Sequence, residues 1–283
     1  MRLEAYIRII RPLVCTQVAA LTLVGLVFAQ NGFPELVTAL KAFLSAFLIA
    51  ASIHTINDYM DYEVDSVNTP WRPIPSGKIG RTEALVYGIV LGIVGVAVTL
   101  SVNLVAAALA LAIFVLTNFY SYKGKIYGFA GHVIVAFCFA SYFLFGALIA
   151  SDYIHPHLLY IFGVCFLYIL GGEVIQSISD AEGDKIRGVR SIALTRGPRI
   201  AAFVASACYI LVALGGAYTT IQFNTGIDMP SSIVAIVCTV FFVGVITLPL
   251  LRNPDRETAI KTRNRINALG FLIISGFLIL LLI

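Results

Sequence analysis

The sequence predicts an all-α integral membrane protein, a bundle of about nine transmembrane helices forming a single transmembrane domain over residues 1–283. Three observations carry that expectation. The chain is 59% hydrophobic and only 12% charged, whereas a soluble domain carries about 25% charged residues. A water-facing surface cannot be built from half that complement, so lipid is the solvent for most of the chain. Apolar runs of membrane-crossing length recur between polar breaks, and Lys and Arg gather on alternate breaks.

A span needs about 20 mostly apolar residues. Such runs fall at 12–30, 36–57, 83–101, 103–120, 128–150, 156–179, 200–219, 231–251 and 266–283. The first continues from the N-terminus without a cleavage site, so a secretory signal peptide is not expected. The second runs straight into an acidic segment. The third and fourth meet at Ser101-Val102-Asn103, the tightest break, but together are far too long for one crossing. The fifth follows a short loop of tyrosines and lysines, and the sixth ends in a second acidic segment. The last three are separated by basic or polar stretches. Arg2, Arg8, Arg11, Arg72, Lys78, Arg81, Lys123 and Lys125 fall on one side by this count. Lys185, Arg187, Arg190, Arg196, Arg199, Arg252, Arg256, Lys261, Arg263 and Arg265 join them, leaving Lys41 alone on the other side of the 19. The positive-inside rule then puts the N-terminus and the four long loops in the cytoplasm of a multi-pass cell-membrane protein. The net charge of +4 is concentrated on that face. It suits anionic membrane lipids and a diphosphate substrate. No nucleic-acid partner is expected, because the basic residues sit at helix ends. Cys15, Cys138, Cys165, Cys208 and Cys238 lie in apolar stretches without a CxxC and read as small buried hydrophobes.

The acids are the informative residues. One cluster is Asn57-Asp58-Tyr59-Met60-Asp61-Tyr62-Glu63-Val64-Asp65 and the other is Asp180-Ala181-Glu182-Gly183-Asp184. They follow the second and sixth spans, with four crossings between, so both belong to the cytoplasmic face. In a helix Asn57, Asp61 and Asp65 form one stripe, and Asp180 and Asp184 repeat its i, i+4 step. The same separation divides Asp61 from Asp180 and Asp65 from Asp184, which reads as a weak internal repeat with two half-sites. Like charges at i, i+4 destabilise a helix by about 0.2–0.5 kcal/mol, and near lipid the cost grows unless something neutralises them. Clustered carboxylates at a helix end suit hard divalent cations, and Mg2+ in particular takes one or two carboxylates with waters and phosphate oxygens. Asn57, Asp58, Asp61, Asp65, Asp180 and Asp184 are therefore the candidate metal ligands. A solvated helix end is the plainer account of either cluster alone, and a poor account of both together.

Basic residues near the acids fit a phosphate ligand, since Mg2+ with Arg or Lys is the usual clamp on a leaving diphosphate. Arg72 in Arg72-Pro73-Ile74-Pro75-Ser76-Gly77-Lys78 and Lys125 in Tyr120-Ser121-Tyr122-Lys123-Gly124-Lys125 are placed best, with Lys123 and Arg187 further candidates. Any of them alone reads more readily as a topology anchor. Glu173 is the sole acid in the interior of a predicted span, and an intramembrane acid is costly enough to mark function. His54, one turn before Asn57, reads equally as a neighbour of the site or a core histidine. Asn118, Gln176 and Ser177 are expected to make ordinary interhelical hydrogen bonds.

At these residues the sequence resembles the UbiA superfamily of intramembrane prenyltransferases. The family's NDxxDxxxD motif is matched by Asn57, Asp58, Asp61 and Asp65, and its DxEGD form of DxxxD by Asp180, Glu182, Gly183 and Asp184. Its tyrosine- and lysine-containing loop is matched at Tyr120, Tyr122 and Lys125, and the resemblance runs from Arg11-Pro12 to Gly197. It implies a nine-helix bundle around a central cavity, Mg2+ dependence and a prenyl diphosphate donor. The wording from Asn57 to Asp65, with Asn68 and Arg72 to Gly77, resembles the archaeal branch that builds ether lipids, although chlorophyll synthases share much of that stretch, and Arg187-Gly188 also suits the archaeal branch. Val14 and Gly172 depart from that pattern, standing where Asn and Arg are expected, and Gly172 leaves one possible substrate anchor missing.

The resemblance implies transfer of a geranylgeranyl group from geranylgeranyl diphosphate to the glycerol hydroxyl of geranylgeranylglyceryl phosphate. One Mg2+ is expected on Asn57 and Asp61 with Asp58 or Asp65, another on Asp180 and Asp184. Arg72, Lys123, Lys125 and Arg187 offset the diphosphate charge. Tyr120 or Tyr122 stabilises an allylic cation by about 0.5–2 kcal/mol, and Glu173 or a diphosphate oxygen takes the hydroxyl proton. The catalytic set is thus Asp61, Asp65, Asp180, Asp184 and Glu173. An aromatic, quinone or chlorophyll-like acceptor is the nearest alternative. A transporter also fits intramembrane acids and a repeat, but transport sites lie near the bilayer midplane and these clusters lie at helix ends.

Overall fold

The computed structural model describes residues 2–186, 188–222 and 240–280, all helix and connecting turns with no strand among them. In chain order the helices are α1 (Arg2–Ile9), α2 (Pro12–Gln30), α3 (Leu36–Met60), α4 (Tyr62–Asn68), α5 (Arg81–Leu100), α6 (Leu104–Tyr122), α7 (Phe129–Ala150) and α8 (Pro156–Ser179). Then come α9 (Ala181–Ile186), α10 (Ile192–Arg196), α11 (Pro198–Gln222), a π-helical turn (Phe241–Thr247), α12 (Leu248–Arg252) and α13 (Arg256–Leu280). Seven of these, α2, α3, α5, α6, α7, α8 and α11, are long and apolar enough to cross a membrane. They coincide with the first seven expected spans. The eighth, 231–251, falls partly outside the described residues, and its described end is the π-helical turn and α12. The ninth, 266–283, is the C-terminal part of α13, with 281–283 outside the described residues. Among the described residues seven helices thus qualify as spans by length and composition, and the count of nine is not confirmed.

Helix ends follow local chemistry. Pro12 opens α2, where its fixed φ suits the first helical position. Asn103 caps α6 by accepting the Ala106 N–H at 2.8 Å, which separates α6 from α5 at the tight break. Asp255 accepts the Thr258 N–H at 2.8 Å, a bond to the start of α13 that holds its carboxyl below the usual range.

The chain forms two compact units. The first comprises Met1–Lys123, Ser141–Leu159 and Ile273–Ile283, and the second Gly124–Ala140 with Tyr160–Leu272. Lipid tails are as apolar as leucine, so helices in a membrane associate by close van der Waals packing through small residues. The first unit is built that way. An added Cβ at Gly88, Gly92 or Gly95 of α5 would lie 2.8 Å from Ile56, Ser52 or Ile49 of α3. Ser52 Oγ donates to the Gly88 carbonyl at 2.6 Å. Gly25 of α2 and Gly146 of α7 bring those helices together backbone to backbone. Outside the spans, Ala5 and Ile9 of α1 pack with Ile74, Ile79 and Ala84. Tyr6 donates to Glu83, which pushes the Tyr6 phenol above its usual range.

The second unit has an aromatic centre. Tyr209 stacks on Phe242 at 5.7 Å and meets Tyr168 edge-on at 5.8 Å, contacts worth about 0.5–1.5 kcal/mol each beyond burial. The Tyr209 hydroxyl donates to the Tyr168 carbonyl at 3.1 Å, and that of Tyr168 to the Ile266 carbonyl at 2.6 Å. Asn118 and Ser177 correct the sequence expectation. Both bond carbonyls of their own helices, Phe114 at 2.8 Å and Val174 at 2.7 Å. Cys15, Cys138, Cys165 and Cys208 are free thiols, buried or partly so, and Cys238 lies outside the described residues.

Candidate active site

The first acidic motif straddles a helix break in the first unit. α3 stops at Met60 and α4 starts at Tyr62, with Asp61 between them. Helical hydrogen bonding nonetheless runs through the break. The Asp61 N–H reaches the Asn57 carbonyl at 2.9 Å, and the Asp65 N–H the Asp61 carbonyl at 2.8 Å. The expected i, i+4 ladder therefore survives, on two helices instead of one.

The carboxylates differ sharply in surroundings. Asp58 and Asp65 are 4% and 2% exposed, while Asp61 is half-buried and Glu63 exposed. Arg11 Nη2 donates to Asp58 Oδ1 at 2.6 Å. Arg72 Nη1 donates to the same oxygen at 3.4 Å and to Asp65 Oδ2 at 2.5 Å. Thr69 Oγ1 adds a bond to Asp65 Oδ1 at 3.0 Å. A carboxylate removed from water must be paired, and both of these are. Arg72 is aimed by its own loop, where Ile74 and Ile79 are buried and Gly77 takes a left-handed φ of 70°.

Asn57 Nδ2 donates to Ser121 Oγ at 3.0 Å, which joins the end of α6 to the motif. The carbonyl oxygen of that amide is its hard-donor atom. Tyr120 is half-buried nearby in sequence. Tyr122 is exposed, with Lys123 Nζ 5.2 Å from its ring centroid, so an ammonium already lies over the face expected to meet an allylic cation. His54 is buried in α3.

The second motif repeats the local design in the second unit. α8 ends at Ser179 and α9 begins at Ala181, with Asp180 between them. The Asp180 N–H reaches Gln176 and the Asp184 N–H reaches Asp180, each at 2.9 Å. Asp180 is exposed, Asp184 half-buried, and Ser179 Oγ donates to Asp180 Oδ1 at 3.0 Å. The short 3-10 turn Gly124–Tyr127 carries Lys125 into this unit. Gly128, at φ 58°, seats the turn against the segment that follows the motif. A Cβ there would stand 1.8 Å from the Arg190 carbonyl oxygen. The side chain of Lys125 and the whole of Arg187 lie outside the described residues.

Glu173 lies two turns before Asp180 on α8, half-buried, with its Oε2 3.6 Å from His132 Nδ1 on α7. His132 is 9% exposed. Neither His132 nor Arg11 stood among the sequence candidates. Arg11 was visible as a basic residue at a membrane boundary and as the start of the resemblance, with no partner assigned to it.

Each motif by itself offers hard oxygen donors of the kind Mg2+ takes: the Asn57 carboxamide and Asp61 carboxylate in the first unit, and the carboxylates of Asp180 and Asp184 in the second. No three Asp, Glu, His or Cys converge into a cage among the described residues. Mg2+ asks for no such cage, since it keeps waters and takes phosphate oxygens.

The chain matches the UbiA prenyltransferase family over residues 18–281. A digeranylgeranylglyceryl phosphate synthase of Thermococcus kodakarensis is 32% identical over 280 residues, covering 99% of this chain and 98% of its own. One from Methanocaldococcus jannaschii is 27% identical over 98% and 96%. A solved structure from work on digeranylgeranylglyceryl phosphate synthase in membranes superposes with a TM-score of 0.79 at 27% identity, covering 98% of both chains. The structure of a UbiA homolog from Archaeoglobus fulgidus bound to GPP and Mg2+ gives 0.72 at 20% identity, covering 96% of this chain and 99% of its own. Similarity that runs the length of the chain, in sequence and in fold alike, is more than two short motifs produce by coincidence: the chain belongs to the UbiA prenyltransferase family.

Proposed function

We propose that the protein transfers a geranylgeranyl group from geranylgeranyl diphosphate to the glycerol hydroxyl of geranylgeranylglyceryl phosphate, a step of archaeal ether-lipid synthesis. The acceptor is argued from the full-length relatives that carry the name digeranylgeranylglyceryl phosphate synthase. One geometric observation carries the chemistry. In both motifs a membrane-spanning helix breaks at an aspartate, with a second carboxylate one hydrogen-bonded turn further on. Oxygen ligands at a helix end suit a diphosphate-bound hard cation.

Asn57 and Asp61 in one motif, and Asp180 and Asp184 in the other, would hold Mg2+. When bound, Mg2+ neutralises charge on the diphosphate and makes it a better leaving group. Arg72, Lys123, Lys125 and Arg187 bind the diphosphate and offset its remaining charge. As the C1–O bond to diphosphate breaks, the Tyr120 ring favours the allylic cation by about 0.5–2 kcal/mol. The glycerol oxygen then bonds to C1 and Glu173 takes its proton. Residues 1–283 act as one transferase domain. Its active site lies near the cytoplasmic face, a placement supported by the Lys and Arg distribution and by the four spanning helices α5, α6, α7 and α8 between the motifs.

The test is transfer of radiolabelled geranylgeranyl diphosphate by the purified protein, with Mg2+ and an EDTA control, to a panel of acceptors. The glycerol phosphate lipid should be consumed, and Asp61→Ala or Asp184→Ala should abolish transfer while the protein stays folded in detergent. Full activity in either variant removes the metal-ligand assignment. Consumption of an aromatic acceptor alone reassigns the acceptor.

A further inference from the structure

The first unit contains an alternating chain of charges, Arg11, Asp58, Arg72 and Asp65, that the proposed chemistry uses only in part. Its acids are the buried members, 5% and 3% exposed in their side chains, against 34% for Arg11 and 32% for Arg72. Asp58 Oδ1 takes both guanidiniums, at 2.6 Å and 3.4 Å. A ligand of Mg2+ must face a space that also admits waters and phosphate oxygens, and Asp58 faces arginines.

Helical geometry points the same way. Asp61 stands four residues from Asn57 and shares its face. Asp58, one residue from Asn57, is turned about 100° from it. The second motif adds an independent comparison. At the separation that relates Asp61 to Asp180, Asn57 corresponds to Gln176 and Asp58 to Ser177. Ser177 Oγ donates to the Val174 carbonyl of its own helix at 2.7 Å. That half-site keeps its paired aspartates with no acid where Asp58 stands. Arg11 adds a further sign of constraint. It holds a left-handed φ of 52° just before Pro12, a conformation few non-glycine residues adopt, while its side chain reaches Asp58.

We propose that Asp58 is not a metal ligand but the residue that positions Arg72, with Arg11 as the second anchor of the same carboxylate. Asp58 then acts on donor binding through Arg72. The inference rests on Arg72 being a diphosphate-binding residue.

The experiment measures Mn2+ affinity by electron paramagnetic resonance, as a probe of the Mg2+ site, and donor KM. Both are read in Asp58→Asn, Asp58→Glu, Arg72→Gln and the Asp58→Asn/Arg72→Gln pair. Asp58→Asn should leave Mn2+ affinity unchanged and raise donor KM roughly 10- to 100-fold, the scale on which a misplaced binding group acts. The pair should match Arg72→Gln alone, because a residue acting through another adds nothing once that other is gone. Asp58→Glu keeps the charge that Arg11 and Arg72 require, so it tests the claim even where Asp58→Asn does not fold. It should bind Mn2+ as the unsubstituted protein does and restore most of the donor affinity. Weakened Mn2+ binding in either Asp58 variant, or additive effects in the pair, overturns the inference. Unchanged donor KM in Arg72→Gln overturns the assignment of Arg72 itself, and is told apart by Mn2+ binding that Asp58 variants leave intact.

Discussion

Replacing Gly146 with alanine should loosen the contact between α2 and α7 in the first unit, by an amount that follows from distances alone. The new Cβ would lie 1.8 Å from the Thr22 carbonyl oxygen, 2.7 Å from its carbon and 2.9 Å from the Leu26 nitrogen. Gly25, from the other helix, would place its Cβ 1.9 Å from the Phe143 carbonyl oxygen. All these neighbours are backbone, so no side-chain rotation relieves them. Real Cβ contacts essentially never fall under 3.0 Å. The helices must part locally by the difference, about 1.2 Å, and a gap near 1 Å forfeits about half of each lost dispersion contact. Overpacking of a tight core costs about 1–3 kcal/mol, and two backbone clashes with no flexible partner put Gly146→Ala at the upper end. At about 2–4 °C per kcal/mol for a chain of a few hundred residues, the expected fall in Tm is about 5–10 °C. Thermal unfolding in detergent measures it. Gly163→Ala is the control, since nothing lies within 4 Å of a Cβ there. A Gly146→Ala protein that melts with the Gly163→Ala control would refute the packing argument.

Two further outcomes bear on the chemistry. Gly128→Ala combines a strained φ of 58° with a Cβ 1.8 Å from the Arg190 carbonyl oxygen, so the turn carrying Lys125 should shift and donor KM should rise several-fold, with kcat changing less. Steady-state kinetics checks this, and an unchanged KM would separate that turn from donor binding. Glu173→Gln should lower kcat by about 10²–10⁴, the range of general acid–base catalysis, with donor KM little changed. Single-turnover transfer to the lipid acceptor measures it, and wild-type rates would remove Glu173 from the proton step.

Hydropathy made the spans legible because each is a continuous apolar run, and the first seven run almost residue for residue with α2, α3, α5, α6, α7, α8 and α11. The start of α5 at Arg81 instead of 83 reflects a local bond that hydropathy does not weigh. Glu83 Oε2 accepts the Gly80 N–H at 3.2 Å and draws the helix back by two residues. The breaks at Asp61 and Asp180 were hidden for a similar reason. α4 and α9 are short and polar, and hydrogen bonding passes through the break, so the sequence reads each as one helix with the span before it. Arg11 and His132 were missed because their partners are distant in sequence. Forty-seven residues separate Arg11 from Asp58, and no local pattern says which acid a boundary arginine meets.

That pairing changes what the first acidic cluster means. From sequence, four acids between Asp58 and Asp65 look like negative charge awaiting a cation. In the folded chain the two most buried of them already have guanidiniums, and the remaining Asp61 and Glu63 are half-buried and exposed. Repulsion at the helix break is therefore relieved within the protein, and the motif does not need a metal ion to be tolerable at a membrane surface. Such an arrangement is also a pre-set one for phosphate. The solvent-facing ends of the ion pairs are arginines, whose planar fork offers more donors than two carboxylate contacts consume. On the proposed reading, a diphosphate at this face would meet positive groups already fixed in place, their ordering cost met in folding instead of in binding. On the proposal that Asp58 positions Arg72, the two most buried acids of the motif are the ones that orient arginines.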